Sequence, residues 1–277
     1  MSPFPRQLID RWRNGRGAAD SERGIVYWHL LLGGDPQLRM AAQTARDRLT
    51  NFAGLHMTPL QWLHLTVLVA GPADQISGHA RNEMLTIASS SLSGTVPITV
   101  EFSRILYHPE AIMLAANPAD ALNPVREAAQ QATQAVTGRN GTTDRSSSLW
   151  IPHVTLCYST SVQPAEPIIA ALGRNLPSCQ VSIRTLTLVV QQGAEWLWNW
   201  STVGTVSLPG SLSVPEFMYI PPERPDRFRA SLTRGRYQPD TGQRRYRTVP
   251  VECPVGATVR LGYPNGAIVP VDGRVAV

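Results

Sequence analysis

The sequence predicts an α+β fold built as a duplicated, two-lobe domain, and three observations carry that expectation. Residues 62–70 are apolar, rich in β-formers and closed by Gly71-Pro72, so they read as a buried strand. Residues 151–158 have the same design. An order of His-x-Thr strand, helix, strand and strand runs over residues 62–116 and again over 150–208, and a helical segment precedes each copy, at 36–50 and 119–136. Repeats this long and this few point to a two-lobe domain rather than a solenoid.

Along the chain, residues 1–23 are rich in Pro, Arg and Gly and are expected to form a loosely packed N-terminal arm. Gly15-Arg16-Gly17 belongs to no dinucleotide fingerprint, because no strand precedes it. Residues 24–32 read as the first strand, ended by Gly33-Gly34. Asp35-Pro36 supplies an N-cap and an N1 proline. The helix that follows spans 36–50, with Leu38, Ala41, Ala42, Ala45 and Leu49 at helical spacing. Residues 51–61 read as a loop, 73–89 as a helix, 96–106 and 111–116 as strands, and 118–136 as a helix. Residues 138–148 are small and polar. A fourth helix is expected over 164–176 and two strands over 181–191 and 196–208, around the turn at Gln192-Gly193. Residues 24–210 then form the main domain, ending at Leu208-Pro209-Gly210. Residues 211–277 are an Arg-rich C-terminal extension, read either as an ordered tail or as a small β module.

Composition narrows the chemistry. The 277 residues are 43% hydrophobic and suffice for a sizeable core. Every basic residue other than histidine is arginine, which excludes a P-loop lysine, a Schiff-base lysine and a lysyl-adenylate. A biased genome is the favoured cause, although arginine also suits bidentate phosphate recognition. Residues 211–277 hold 10 Arg against 6 acidic residues, and residues 1–210 hold 15 against 14. That surplus hints at nucleic acid, but a solvated face explains it as well. Residues 1–13 contain no apolar signal segment, and the run 25–32 is too short to span a bilayer, so a cytoplasmic protein without a membrane partner is expected. Three scattered cysteines give neither a disulfide framework nor metal spacing, and no cofactor or metal is expected.

Side chains alternate across a strand, so His64 and Thr66 share one face while Leu65, Val67 and Val69 share the other. His153 and Thr155 repeat this, with Val154 and Leu156 opposite. Polar groups in apolar strands are costly unless paired. A satisfied core histidine with a threonine partner is the plain alternative, but the shared face and equivalent places in the repeat favour a site. Acid–base chemistry needs one group to take a proton and another to give one, and histidine serves both near neutrality. Threonine hydroxyls can donate to an oxygen on which charge builds. His56-Met57-Thr58 is a third match, but it lies in the expected loop, is followed by Pro59, and reads as chance. For His29 core packing is favoured over lining a cleft. His108 reads as a surface loop residue and His79 as a solvated helix residue. Trp62, Trp150 and Tyr158 flank the motifs and could stack on a base or pack in the core. Trp196, Trp198 and Trp200 alternate on one expected strand face, where packing is the favoured reading. No Gly-x-Ser-x-Gly elbow and no His-Glu-x-x-His helix is present.

The two His-x-Thr strands resemble the paired motifs of the 2H phosphoesterase superfamily, of the bacterial 2'-5' RNA ligase and RNA 2',3'-cyclic phosphodiesterase type. The resemblance covers residues 24–208. It implies a bilobal, duplicated α+β fold with two antiparallel sheets facing a central cleft and helices outside. It also implies that His64 and His153 are the acid–base pair and that Thr66 and Thr155 bind phosphate. The implied activity is hydrolysis of 2',3'-cyclic or 2'-5' phosphodiesters of RNA ends or small cyclic nucleotides, without a metal. ATP-independent 2'-5' RNA ligation is the alternative within the family, and a non-catalytic nucleotide- or RNA-binding protein is the alternative outside it. Many members carry an Arg three residues after the second Thr, where this chain has Tyr158. Arg145 is therefore added as a substitute guanidinium, and Tyr158 and Trp150, which flank the motifs, are added as substrate-binding candidates that could stack on a base. A bell-shaped pH profile and activity in EDTA are expected. The sequence does not say which histidine is the base.

Overall fold

The computed structural model describes residues 4–13, 23–142, 150–209, 227–238, 243–254, 259–262 and 268–271. The chain divides into two compact units, Met1–Gly210 and Ser211–Val277. In the first unit the elements are β1 (Gln7–Leu8), β2 (Ile25–Leu31), α1 (Pro36–Leu49), β3 (Leu55–Met57), β4 (His64–Pro72), α2 (Gly78–Leu92), β5 (Ile98–His108) and β6 (Ala111–Asn117). They continue with α3 (Asn123–Thr137), β7 (His153–Ser159), β8 (Gln163–Pro164), α4 (Glu166–Leu172), β9 (Asn175–Ile183), β10 (Thr185–Gln191) and β11 (Trp200–Ser207). The second unit holds β12 (Arg227–Gln238) paired with β13 (Gln243–Pro254), and β14 (Val259–Gly262) paired with β15 (Ile268–Val271).

Local chemistry sets the ends of several elements. The Asp35 carboxylate accepts from the backbone N–H groups of Gln37 and Leu38, both at 2.9 Å, which starts α1 where the sequence placed it. α2 begins later than expected: residues 73–75 form a 3-10 turn, and Ser77 caps the helix through its hydroxyl. α4 is shorter than expected because Gly173, at φ +83°, stops it. β9 starts directly after, and Leu176, Cys179, Val181 and Ile183 are its buried residues. The span 181–191, expected as one strand, is the end of β9 followed by β10.

The sheet is antiparallel, in the order β11-β10-β2-β4-β7-β6-β5-β9, with β3 also on β7. It consists of two half-sheets, β11-β10-β2-β4 and β7-β6-β5-β9. They join at a single register pair, Leu65 with Val154. Beyond that rung the β4 and β7 ladders part, and β3 occupies the far end of the same β7 edge. The half-sheets do not coincide with the sequence repeats. β5 and β6 follow β4 along the chain but lie in the β7 half, and β10 and β11 follow β7 but lie in the β4 half.

Helices cover one face. Trp28, Leu30, Leu65, Leu68, Val154 and Leu188 are fully buried there with Leu38, Met84 and Val125 of the helices. The Trp28 indole N–H donates to the Thr133 hydroxyl of α3 at 3.1 Å, tying β2 to the helix layer. Trp28→Ala removes the largest fully buried side chain and leaves that hydroxyl without its donor. The expected cost is about 3–5 kcal/mol in urea unfolding, as is usual for a large-to-small core change. A loss under about 1 kcal/mol would mean that this face is loosely packed.

Candidate active site

The rung between Leu65 and Val154 positions the four motif side chains. Both residues are fully buried on the helix face. Their neighbours along each strand, His64, Thr66, His153 and Thr155, therefore turn to the opposite face. Antiparallel register about this rung puts His64 level with Thr155, and Thr66 level with His153. The two histidines are close enough that the charge of one lowers the pKa of the other.

Each histidine is anchored in the same way. His64 Nδ1 lies 2.8 Å from the Trp62 carbonyl oxygen, and His153 Nδ1 lies 2.7 Å from that of Ile151. A carbonyl only accepts, so Nδ1 carries the hydrogen, and Nε2 is the lone-pair nitrogen of the neutral ring. Burial holds the His64 pKa down, at about 4. The Trp62 carbonyl and Glu195 pull it up, and His153 pushes it further down.

A second symmetry lies in the backbone. In β4 one extra residue stands between Thr66 and Leu68, opposite the adjacent pair His29 and Trp28 of β2. In β7 one extra residue stands between Thr155 and Cys157, opposite the adjacent pair Met113 and Ile112 of β6. Each bulge follows its threonine directly and shifts the alternation by one. Tyr158, at an odd offset from Thr155, is thereby returned to the site face, beside the Thr155 side chain. Burial, with Glu195 behind it, pushes the Tyr158 hydroxyl above its ordinary range, so it stays protonated.

His29 belongs to this site. It pairs in register with Thr66, is 1% exposed, and its ring centroid lies 4.6 Å from that of His64. Core packing is the right description of its burial, but what it packs against is the motif histidine. Burial, and then the charge of His64, holds its pKa well below normal, so the ring is neutral. His56 is also nearby, and its reading as a loop residue is corrected. It lies in β3, in register with Tyr158, with its ring 6.3 Å from Trp198 and 5.2 Å from Trp12. Pairing with the edge of β7, a non-local interaction, makes this three-residue strand.

The three tryptophans do not share a strand face as expected. Residues 195–197 form a 3-10 turn, Trp198 has a left-handed backbone at φ 53°, and β11 begins only at Trp200. The indoles consequently part. Trp200 lies 4.8 Å from His64 and 4.7 Å from Trp62. Trp198 is buried beside His64, Tyr158 and His56 at 6.0, 5.9 and 6.3 Å, and Trp196 packs on Trp12.

Of the remaining candidates, Trp150 is not brought to the four motif residues. It packs on the helix layer, where the Arg126 guanidinium of α3 lies 5.1 Å from its ring centroid. Arg145 lies outside the described residues. His79 is exposed on α2, and His108 accepts from the Glu110 backbone N–H in the β5–β6 turn. Sequence reasoning missed Arg11, Trp12, Glu110 and Glu195, which sit beyond Tyr158. Their mutual contacts span 99 to 184 residues, and no local pattern marks them. Among the described residues no three His, Cys, Asp or Glu side chains are grouped to hold a metal ion, and no helix is long and apolar enough to cross a membrane. A separate hollow of ≈ 340 Å³ against α1 and β3 holds none of the motif residues.

The family model described as the 2'-5' RNA ligase superfamily matches residues 34–195. No curated protein matches the sequence. Solved structures do. TT0787 of Thermus thermophilus is 17% identical with a TM-score of 0.50, and the match covers 68% of this chain and 99% of that one. E. coli LigT complexed with 3'-AMP is 14% identical with a TM-score of 0.51, at the same coverage. LigT complexed with NADP+ gives the same identity, score and coverage. These likenesses show that the first unit has the LigT-like fold.

Proposed function

The chain belongs to the 2'-5' RNA ligase superfamily, and on that premise we propose that it is a phosphodiesterase that opens 2',3'-cyclic or 2'-5' phosphodiesters of RNA ends or small nucleotides. One observation carries the reading. Two imidazoles with matched Nδ1 anchors flank a single backbone rung, each level with a threonine.

His64, neutral at pH 7, takes a proton from the attacking water on Nε2. The water oxygen bonds to phosphorus and one ribose P–O bond breaks. Protonated His153 gives its Nε2 proton to the departing ribose oxygen. The net change is one water across one P–O bond, leaving a phosphomonoester and a free hydroxyl. Each proton transfer contributes roughly 10²–10⁴ in rate. Thr66 and Thr155 donate to the non-bridging oxygens as charge builds there. The nucleotides in the LigT complexes support a nucleotide-sized ligand.

A screen of 2',3'-cyclic mononucleotides and RNA with a 2',3'-cyclic end, run in EDTA with identification of products, tests this. Turnover is expected, and the 2'- or 3'-phosphate formed names the oxygen that leaves. No turnover on any of these, or turnover lost to chelation, would overturn the reading. Adding RNA with a free 5'-hydroxyl tests 2'-5' ligation, in which that hydroxyl attacks phosphorus in place of water and its proton takes the same route to the departing ribose oxygen.

A further inference from the structure

Residues 4–13 are tied down along their length, and to one half of the sheet. β1 pairs with β8. The Ile9 N–H donates to Pro109 O and the Arg11 N–H to Ser159 O, both at 2.8 Å. Pro109 is in the β5–β6 turn and Ser159 ends β7, so both anchors belong to the His153 half.

The side chains at the tip reach the other half. The Arg11 guanidinium donates to Glu110 of the β5–β6 turn at 2.7 Å, and to both carboxylate oxygens of Glu195 at 3.2 and 3.0 Å. Glu195 opens the turn between β10 and β11, in the His64 half. The Trp12 indole N–H donates to the same carboxylate at 3.0 Å. One guanidinium thus bridges two half-sheets whose ladders share a single rung.

The bridge stands next to the chemistry. Arg11 lies 5.6 Å from the Tyr158 ring centroid, and Trp12 packs on Tyr158, His56 and Trp196 at 5.5, 5.2 and 5.3 Å. Tyr158 stands beside Thr155, and the Glu195 charge is felt at His64. A single cation held by two carboxylates leaves no positive charge to attract an anion, so this cluster is built to hold position rather than to bind phosphate.

Resting on the phosphodiesterase reading above, we propose that residues 9–13 are a strap that closes the site beyond Tyr158. The site then accepts a phosphodiester with one terminal nucleoside on that side and rejects a strand running through. Arg11 and Trp12 are specificity-determining residues that act by setting this limit.

The test compares two substrates on the full chain: a 2',3'-cyclic mononucleotide, and an oligoribonucleotide with one internal 2'-5' linkage flanked by several nucleotides on each side. In Trp12→Ala and in Arg11→Gln, the ratio of kcat/KM on the internal linkage to that on the mononucleotide is expected to rise roughly tenfold or more over wild type. Glu195→Gln keeps the size of the clamp's side chain but removes its charge and one of its two acceptor oxygens, so it should move the ratio in the same direction. The same variants are made on a His64→Ala background, and the affinities for 3'-AMP and for the oligonucleotide are measured there. This binding ratio reads the strap even if wild type turns over neither substrate, an outcome that would fault the phosphodiesterase reading alone. Unchanged selectivity in the folded strap variants, in either measurement, would overturn the strap.

Discussion

His64→Ala and His153→Ala are each expected to lower kcat/KM on a 2',3'-cyclic nucleotide by about 10²–10⁴. Each removes one end of a proton path that needs both. The double variant should lose little more than the worse single variant, because groups that act as a unit are not additive. Loss of fold is not the expected cause. Both residues are half-buried, and each gives up a hydrogen bond to a backbone carbonyl, worth about 0.5–1.5 kcal/mol; His64 also gives up its ring contacts with His29 and Trp200. Thermal midpoints should fall by only a few degrees, with the larger drop for His64→Ala, while turnover collapses. An alanine variant at either position within about threefold of wild type would remove that residue from the acid–base pair.

Acid is expected to weaken the fold and to spare the base for longer than an ordinary histidine would allow. The folded pKa of His64 is about 4, and that of His29 is also lowered, against about 6.5 for an unfolded histidine. Between those values the unfolded chain binds protons that the folded chain does not. Stability therefore falls as pH falls from about 6.5 towards 4, and is flat on this account above 6.5. The ring of His64 keeps part of its surface in water, and screening there trims its share to the order of 1–2 kcal/mol. Urea unfolding at pH 7.5 and at 4.5 measures the drop, and His64→Gln or His29→Asn should reduce it. With His64 as base, the acid limb of kcat/KM falls well below 6.5, near 4. A limb centred at 6.5 or above, or stability constant across the window, would show that the rings are not enclosed as described.

The part of the site that was legible in the sequence rests on local rules. Alternation alone put His64 with Thr66 and His153 with Thr155, and Asp35-Pro36 marked the start of α1. What was not legible depends on events that alternation cannot register. A one-residue bulge after Thr155 moves Tyr158 onto the site face, which simple counting would deny. A left-handed backbone at Trp198 breaks what read as one strand into a turn and a shorter strand. β3 exists because β7 has a free edge to offer, so His56 is in a strand for reasons lying a hundred residues away. Arg11 finds its carboxylates at Glu110 and Glu195 only after both half-sheets are built.

The exchange of strands between the half-sheets decides what the duplication can and cannot be. A polypeptide divided between α3 and β7 would give a first piece with β2 and β4 of one half-sheet and β5 and β6 of the other, and a second piece with the rest. Neither piece would own a complete half-sheet, so neither copy of the motif could stand alone as a miniature of the whole. The two motif segments are thus interlocked partners, obliged to fold together before either histidine has anything to work on.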